Sequence, residues 1–218
     1  MQTNFTLYTE EWNQVFTHPN FDGLSVSGDK MPADEFLKKL KLLRGTTKLD
    51  PLVLVVATDS ETVFYWYYLA VKHNFALKFN YLMPLGKLKG KYLDVKQYYK
   101  LMNEFMETWD PQYRVEPMYS LMHEEEVCPY INCVTETPDI YSYEPDGEKF
   151  FCCALSSLRI TKDQMPDGRV VPMSCLTCDA FTVCRGCIVR NNMVAGDAGY
   201  CNVMKSFFNK IKEKRNAR

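Results

Sequence analysis

Nine cysteines lie between Cys128 and Cys201, and none precedes Cys128 in a chain of 218 residues. This clustering constrains the fold more than any other feature of the sequence. A secreted disulfide scaffold is usually shorter and carries an export signal. Here the N-terminus reads MQTNFTLYTEEWNQ, with no basic start followed by an apolar run, so no signal peptide is expected. The longest apolar stretches, such as Leu52–Ala57, are far too short to span a bilayer. A cytoplasmic protein with no membrane partner is therefore expected, and in a reducing compartment clustered thiols bind metal more often than they form disulfides. The formal net charge of −1 gives no single-sign field that would suit nucleic acid.

The centre of the cluster is SCLTCDAFTVCRGC. Cys175 and Cys178 form one C-x2-C pair, Cys184 and Cys187 a second, and five residues separate them. A C-x2-C loop bends so that both thiolates face one metal centre, which serves zinc and iron–sulfur alike. The spacer favours iron–sulfur, because zinc ribbons usually place a dozen or more residues between their halves. None of the three histidines (His18, His73, His123) falls inside the cluster. Upstream stand Cys128, Cys133, Cys152 and Cys153, and downstream Cys201. The order is C-x4-C-x13-G-x4-C, a gap, C-x2-C-x5-C-x2-C, a gap, then C, the glycine being Gly147. Zinc in two structural four-thiolate sites remains the alternative.

The first 110 or so residues alternate helix and strand signals. Helices are expected over Phe5–Phe16, Pro32–Arg44 with Gly45 as a stop, Ser60 (as N-cap) to about His73, and Asp94–Trp109. Strands are expected at Gly23–Ser27, at Pro51–Ala57, continuously apolar and β-branched, and at Leu77–Met83. Strands separated by helices of this length imply β/α units and a parallel sheet. The aromatic run Phe64–Val71 (FYWYYLAV) reads as a helix packed on that sheet rather than as a stacking surface. Tyr113–Met122 reads as a linker or irregular segment. From Glu124 onward the chain is loop-rich, with PDG turns at Pro145–Gly147 and Pro166–Gly168. So little periodic apolar content needs metal to hold it. A tail from Asn202 to Arg218 reads as an amphipathic helix with Val203, Met204, Phe207, Phe208 and Ile211 on one face. Three regions are expected: an α/β domain over 1–112, a cysteine domain over 113–201, and a terminal helix over 202–218.

The cysteine order resembles the SPASM domain of radical S-adenosylmethionine (SAM) peptide-modifying enzymes. That family reads C-x9–15-G-x4-C, gap, C-x2-C-x5-C-x3-C, gap, C. YSYEPDGEKFFCC resembles its strand–turn–strand before a cluster ligand, and VCRGC resembles its CxGGC shortened by one residue. The resemblance implies two auxiliary [4Fe–4S] clusters, one on Cys128, Cys133, Cys152 and Cys187, the other on Cys175, Cys178, Cys184 and Cys201. Cys153 is left over, where sulfatase-maturing members carry an aspartate base. TNFTLYTEEW, SVSGD (Ser25–Asp29), YLMPLGK and LDVKQYYKLMNEFMETW are similar to the second half of the radical SAM barrel. The resemblance therefore implies a partial (β/α) radical SAM barrel followed by a loop-rich iron–sulfur domain, with Ser27 and Asp29 near bound SAM. Its partners would be a precursor peptide or protein, an electron donor such as flavodoxin or ferredoxin, and a chain carrying the first half-barrel. The C-x3-C-x2-C motif that binds the SAM-cleaving cluster does not occur in these 218 residues. A fragment, a split subunit or a degenerate paralogue, the last a non-catalytic electron-transfer or peptide-binding module, are the readings this leaves open.

Overall fold

A computed structural model describes residues 1–21, 23–81, 93–123, 142–143, 147–150, 177–180 and 198–217. The chain divides into two compact units, Met1–Leu82 with Thr108–Tyr119, and Met83–Glu107 with Ser120–Arg218.

The first unit is α/β. Its strands are β1 (Gln2–Thr3), β2 (Ser25–Ser27), β3 (Leu52–Val56), β4 (Leu77–Asn80) and β5 (Val115–Glu116). All neighbours pair in parallel, and their spatial order follows the sequence. Crossovers between parallel strands are right-handed, so a sheet that always steps the same way carries its helices on one face. That winding is compatible with a partial (β/α) barrel. A doubly wound sheet reverses direction and is covered on both faces.

Burial along the strands shows the two faces. Val26, Val53, Val55, Leu77, Phe79 and Val115 share one face by register, and every one of them is buried. On the other face stand Ser25, Ser27, Lys78, Asn80 and Glu116, together with Leu52, Leu54 and Val56 of β3, of which Leu54 is buried. The helical face is packed by α2 (Ala33–Thr47) and α3 (Ser60–His73). Phe36 of α2 is 0% exposed and meets Trp66 of α3 edge-on at 5.5 Å. Phe5 and Phe75 close on the same ring at 6.0 and 6.3 Å.

Several expected boundaries move. The helix expected over Phe5–Phe16 is only a 3-10 turn at Glu10–Trp12 followed by α1 (Asn13–Phe16). Phe5 has φ +63°, and Asn4 draws Thr6 N–H onto its own side chain at 3.3 Å, so the chain turns before it can coil. Gly45 does not stop α2. The helix runs to Thr47, and Lys48 takes the left-handed cap at φ +59°. Ser60 is not the cap of α3. Asp59 is, its carboxylate accepting Thr62 N–H at 2.7 Å. Asn74, at φ +50°, ends the helix. Within the aromatic run Trp66, Leu69 and Ala70 are buried, as expected of a packed helix, with Val63 just before it, while Phe64, Tyr65 and Tyr68 stand exposed. β4 ends at Asn80, short of the expected Met83, which lies outside the described residues.

Tyr113–Met122 is not a plain linker. It contributes β5 and α5 (Met118–His123). Leu77 N donates to Arg114 O at 2.9 Å, and Trp109 Nε1 to Tyr113 O at 3.0 Å. Asp110 N donates to the Tyr67 hydroxyl at 2.9 Å, tying the approach to β5 onto α3.

In the second unit, α4 (Val95–Thr108) starts at a reciprocal cap. Asp94 N donates to the Gln97 amide oxygen at 2.9 Å and Gln97 N to the Asp94 carboxylate at 2.8 Å. Its buried residues Tyr98, Leu101, Met102, Phe105 and Met106 recur at helical spacing. The C-terminal helix α6 (Ala198–Asn216) begins earlier than the expected Asn202. It buries Met204, Phe207 and Ile211. Phe207 meets Tyr99 of α4 at 5.6 Å, and Lys210 pairs with Glu107 and donates to Asn103 O at 3.1 Å. β6 (Ser142–Tyr143) and β7 (Lys149–Phe150) pair antiparallel, with Gly147 at φ +86° in the connection. A positive φ costs glycine nothing.

Candidate functional site

In parallel α/β sheets the loops at the carboxyl ends of the strands carry the chemistry. Those ends bring together Ser27, Gly28 and Asp29 after β2, Thr58 and Asp59 after β3, and Asn80 at the end of β4. Ser27 sits on the polar face of the sheet, half-buried. Asp29 lies in the 3-10 turn Gly28–Lys30. Its Oδ2 accepts Val56 N–H at 3.3 Å and lies 3.5 Å from Lys30 Nζ. Nothing among the described residues donates to Oδ1. Both expected SAM-side residues thus stand at the carboxyl end of β2, with the aspartate fastened across to β3.

Asp59 is committed to structure. The Thr62 N–H, and then the Thr58 hydroxyl at 2.8 Å, hold its carboxyl below the usual carboxylate range.

Register adds residues that sequence reasoning missed. Ser27, Leu54, Lys78 and Glu116 form one row across four strands on the polar face. Glu116 is 6% exposed and accepts from Arg114 Nε at 2.8 Å. A buried carboxylate needs such a partner. The signal was the alternation Leu-Lys-Phe-Asn in β4, which places Lys78 and Asn80 opposite the buried Leu77 and Phe79.

Of the eight cysteines expected to bind metal, Cys178 and Cys201 are described. Both are free thiols. Cys178 lies half-buried within the turn residues 177–180, and Cys201 is exposed in the first turn of α6. Cys128, Cys133, Cys152, Cys175, Cys184 and Cys187 lie outside the described residues, as does Cys153. Among the described residues no group of three or more metal-ligating side chains gathers. Among them too, no helix is long and apolar enough to cross a membrane.

No family model, curated protein or solved structure matches the chain.

Proposed function

We propose that this chain holds two auxiliary [4Fe–4S] clusters as part of a radical SAM/SPASM-type enzyme that modifies a ribosomally made peptide or protein. The observation that carries the reading is the order C-x4-C-x13-G-x4-C…C-x2-C-x5-C-x2-C…C, with its five-residue spacer and no histidine inside it.

The donor set fits such clusters. Eight cysteines supply two groups of four thiolates, the number a [4Fe–4S] cluster takes. Cys178 and Cys201 are free rather than joined in disulfides, as ligands must be. Cys128, Cys133, Cys152 and Cys187 would hold the first cluster, and Cys175, Cys178, Cys184 and Cys201 the second. When bound, such clusters supply one-electron transfer or an iron that anchors substrate.

The sheet of the first unit offers polar groups of its own. Asp29 presents a carboxylate oxygen at the carboxyl end of β2, and Ser27 a hydroxyl two residues before it. Both suit the hydroxyl and ammonium groups of a cofactor such as SAM. The C-x3-C-x2-C motif is absent from these 218 residues, so the chain alone is expected not to cleave SAM. It would depend on a half-barrel partner for the radical, on a flavodoxin or ferredoxin for electrons, and on a precursor peptide as substrate.

Anaerobic purification with iron, sulfide and zinc counted per chain tests this reading. A brown protein with about eight iron and eight sulfide is expected. A colourless protein with about two zinc would replace it with a structural zinc module.

A further inference from the structure

The turn that carries Asp29 is seated on an aromatic ring, and its seat depends on a missing side chain. Alternate backbone N–H groups of β3 point to opposite neighbours. Val53 N donates to Ala76 O at 2.9 Å and Ala57 N to Asn80 O at 3.2 Å, both towards β4. Leu52 N donates the other way, to Leu24 O at 3.0 Å. Four residues on, Val56 N also faces β2, and by the period of the ladder it would meet the carbonyl of residue 28. By then the chain has turned into Gly28–Lys30, and the Asp29 carboxylate takes the place of that carbonyl at 3.3 Å.

Gly28 sets how this turn lies. A Cβ there would stand 2.8 Å from both Cζ3 and Cη2 of Trp66 and 3.0 Å from Val53 Cγ1. The indole cannot retreat. Trp66 is 5% exposed and lies edge-on to Phe36, itself 0% exposed and flanked by Phe5 and Phe75. Bare backbone at residue 28 therefore lets the turn settle on the ring, which brings Asp29 Oδ2 onto Val56 N–H. The side chain of Asp29 is 19% exposed, so its other oxygen is the part left to a ligand.

We propose that Gly28 and Trp66 are positioning residues: together they fix the Asp29 carboxylate so that Oδ1 is presented to a hydrogen-bond donor, an ammonium or a hydroxyl, on a bound ligand. This rests on the reading that the strand ends form the ligand site.

The test uses the full chain, purified anaerobically, as wild type, Gly28→Ala, Trp66→Phe, Asp29→Asn and the double variant Gly28→Ala/Trp66→Phe. Phenylalanine lacks the two indole carbons that the new Cβ would strike. The first readout is hydrogen exchange at the Val56 amide, with Val55 as an internal reference. Gly28→Ala is expected to speed exchange at Val56 about tenfold or more while leaving Val55 unchanged. Asp29→Asn should speed it in the same direction, and adding Trp66→Phe to Gly28→Ala should slow it again. Unchanged exchange at Val56 in Gly28→Ala overturns the proposal. So does a rise along all of β3, or one that Trp66→Phe does not reverse, since either is the mark of general loosening. The second readout is binding of SAM by equilibrium dialysis, expected to fall about tenfold in Gly28→Ala and to recover in the double variant. Wild-type chain that leaves SAM unbound while Val56 responds as described would retire the ligand reading and leave the positioning intact. SAM binding that ignores Gly28→Ala while Val56 loses protection would overturn the link between the two.

Discussion

Truncating Phe36 to alanine tests how the first unit is held together. Phe36 is 0% exposed and touches three other rings, those of Phe5, Trp66 and Phe75. Removing a buried phenyl ring costs about 3–5 kcal/mol, the transfer free energy of the lost carbons plus the cavity that remains. The upper part of that range is expected here. The cavity would be walled by the rings of Phe5, Trp66 and Phe75, each itself buried and packed among its neighbours, so they have little room to collapse into it. A domain of ordinary stability has about 5–15 kcal/mol in total, so Phe36→Ala should remove a third or more of it. Phe36→Leu keeps much of the volume and should cost less than about 1.5 kcal/mol. The assay is hydrogen exchange at β3 amides in rising urea, which reads this unit apart from the rest of the chain. A loss below about 1 kcal/mol for Phe36→Ala, or equal losses for the alanine and leucine variants, would refute the idea that this ring is the centre of the core.

Three further outcomes follow from single contacts. Asp59→Ala should destabilise α3 by about 1 kcal/mol at neutral pH, since it removes an N-cap. The folded-state carboxyl of Asp59 lies below its ordinary value, so this contribution is present above the unfolded value near 4 and fades as pH falls through the lower folded one; denaturation curves of wild type and variant should converge in acid. Tyr67→Phe leaves Asp110 N–H without its acceptor and should cost about 1 kcal/mol, read as a lower urea midpoint with unchanged slope. Cys201→Ser should lower the iron content from about eight to about four per chain while keeping a [4Fe–4S] spectrum, and a chain that retains all its iron would remove Cys201 from the ligand set.

How far the sequence carried each element depends on where its information lies. β3 was legible because five β-branched or leucine residues in a row suit a strand buried on both sides. β1 and β5 were not, because two residues carry no periodicity. They are strands only because a neighbour's edge accepts them, through Ser25 N to Met1 O and Leu77 N to Arg114 O. The end of α2 misled for a related reason. Gly45 is a fair stop signal in isolation, yet Arg44 reaches across to donate to His73 O at 2.9 Å and Asn74 O at 2.7 Å. That tertiary contact accompanies three further residues of helix, to Thr47, and a cap at Lys48. Among the candidate site residues, the cysteine pattern was readable from spacing, with six of its eight positions outside the described residues. The use of Asp29 was not, since its partner Val56 N–H lies 27 residues away and becomes available only when β2 and β3 align.

The winding of the sheet gives that alignment its meaning. With α2 and α3 packed on one face of the sheet, aromatic mass collects there, and the opposite face carries Ser27, Lys78, Asn80 and Glu116 beside Leu52, Leu54 and Val56. Polar side chains on a parallel sheet cost burial energy unless something there uses them. Glu116 is matched by Arg114 and Asp29 by Val56 N–H and Lys30. The Asp29 match is incomplete, since one oxygen has no donor among the described residues. Under the proposed function, Val56 N–H holds one oxygen of this four-fifths buried carboxylate and the other is the one a ligand would take.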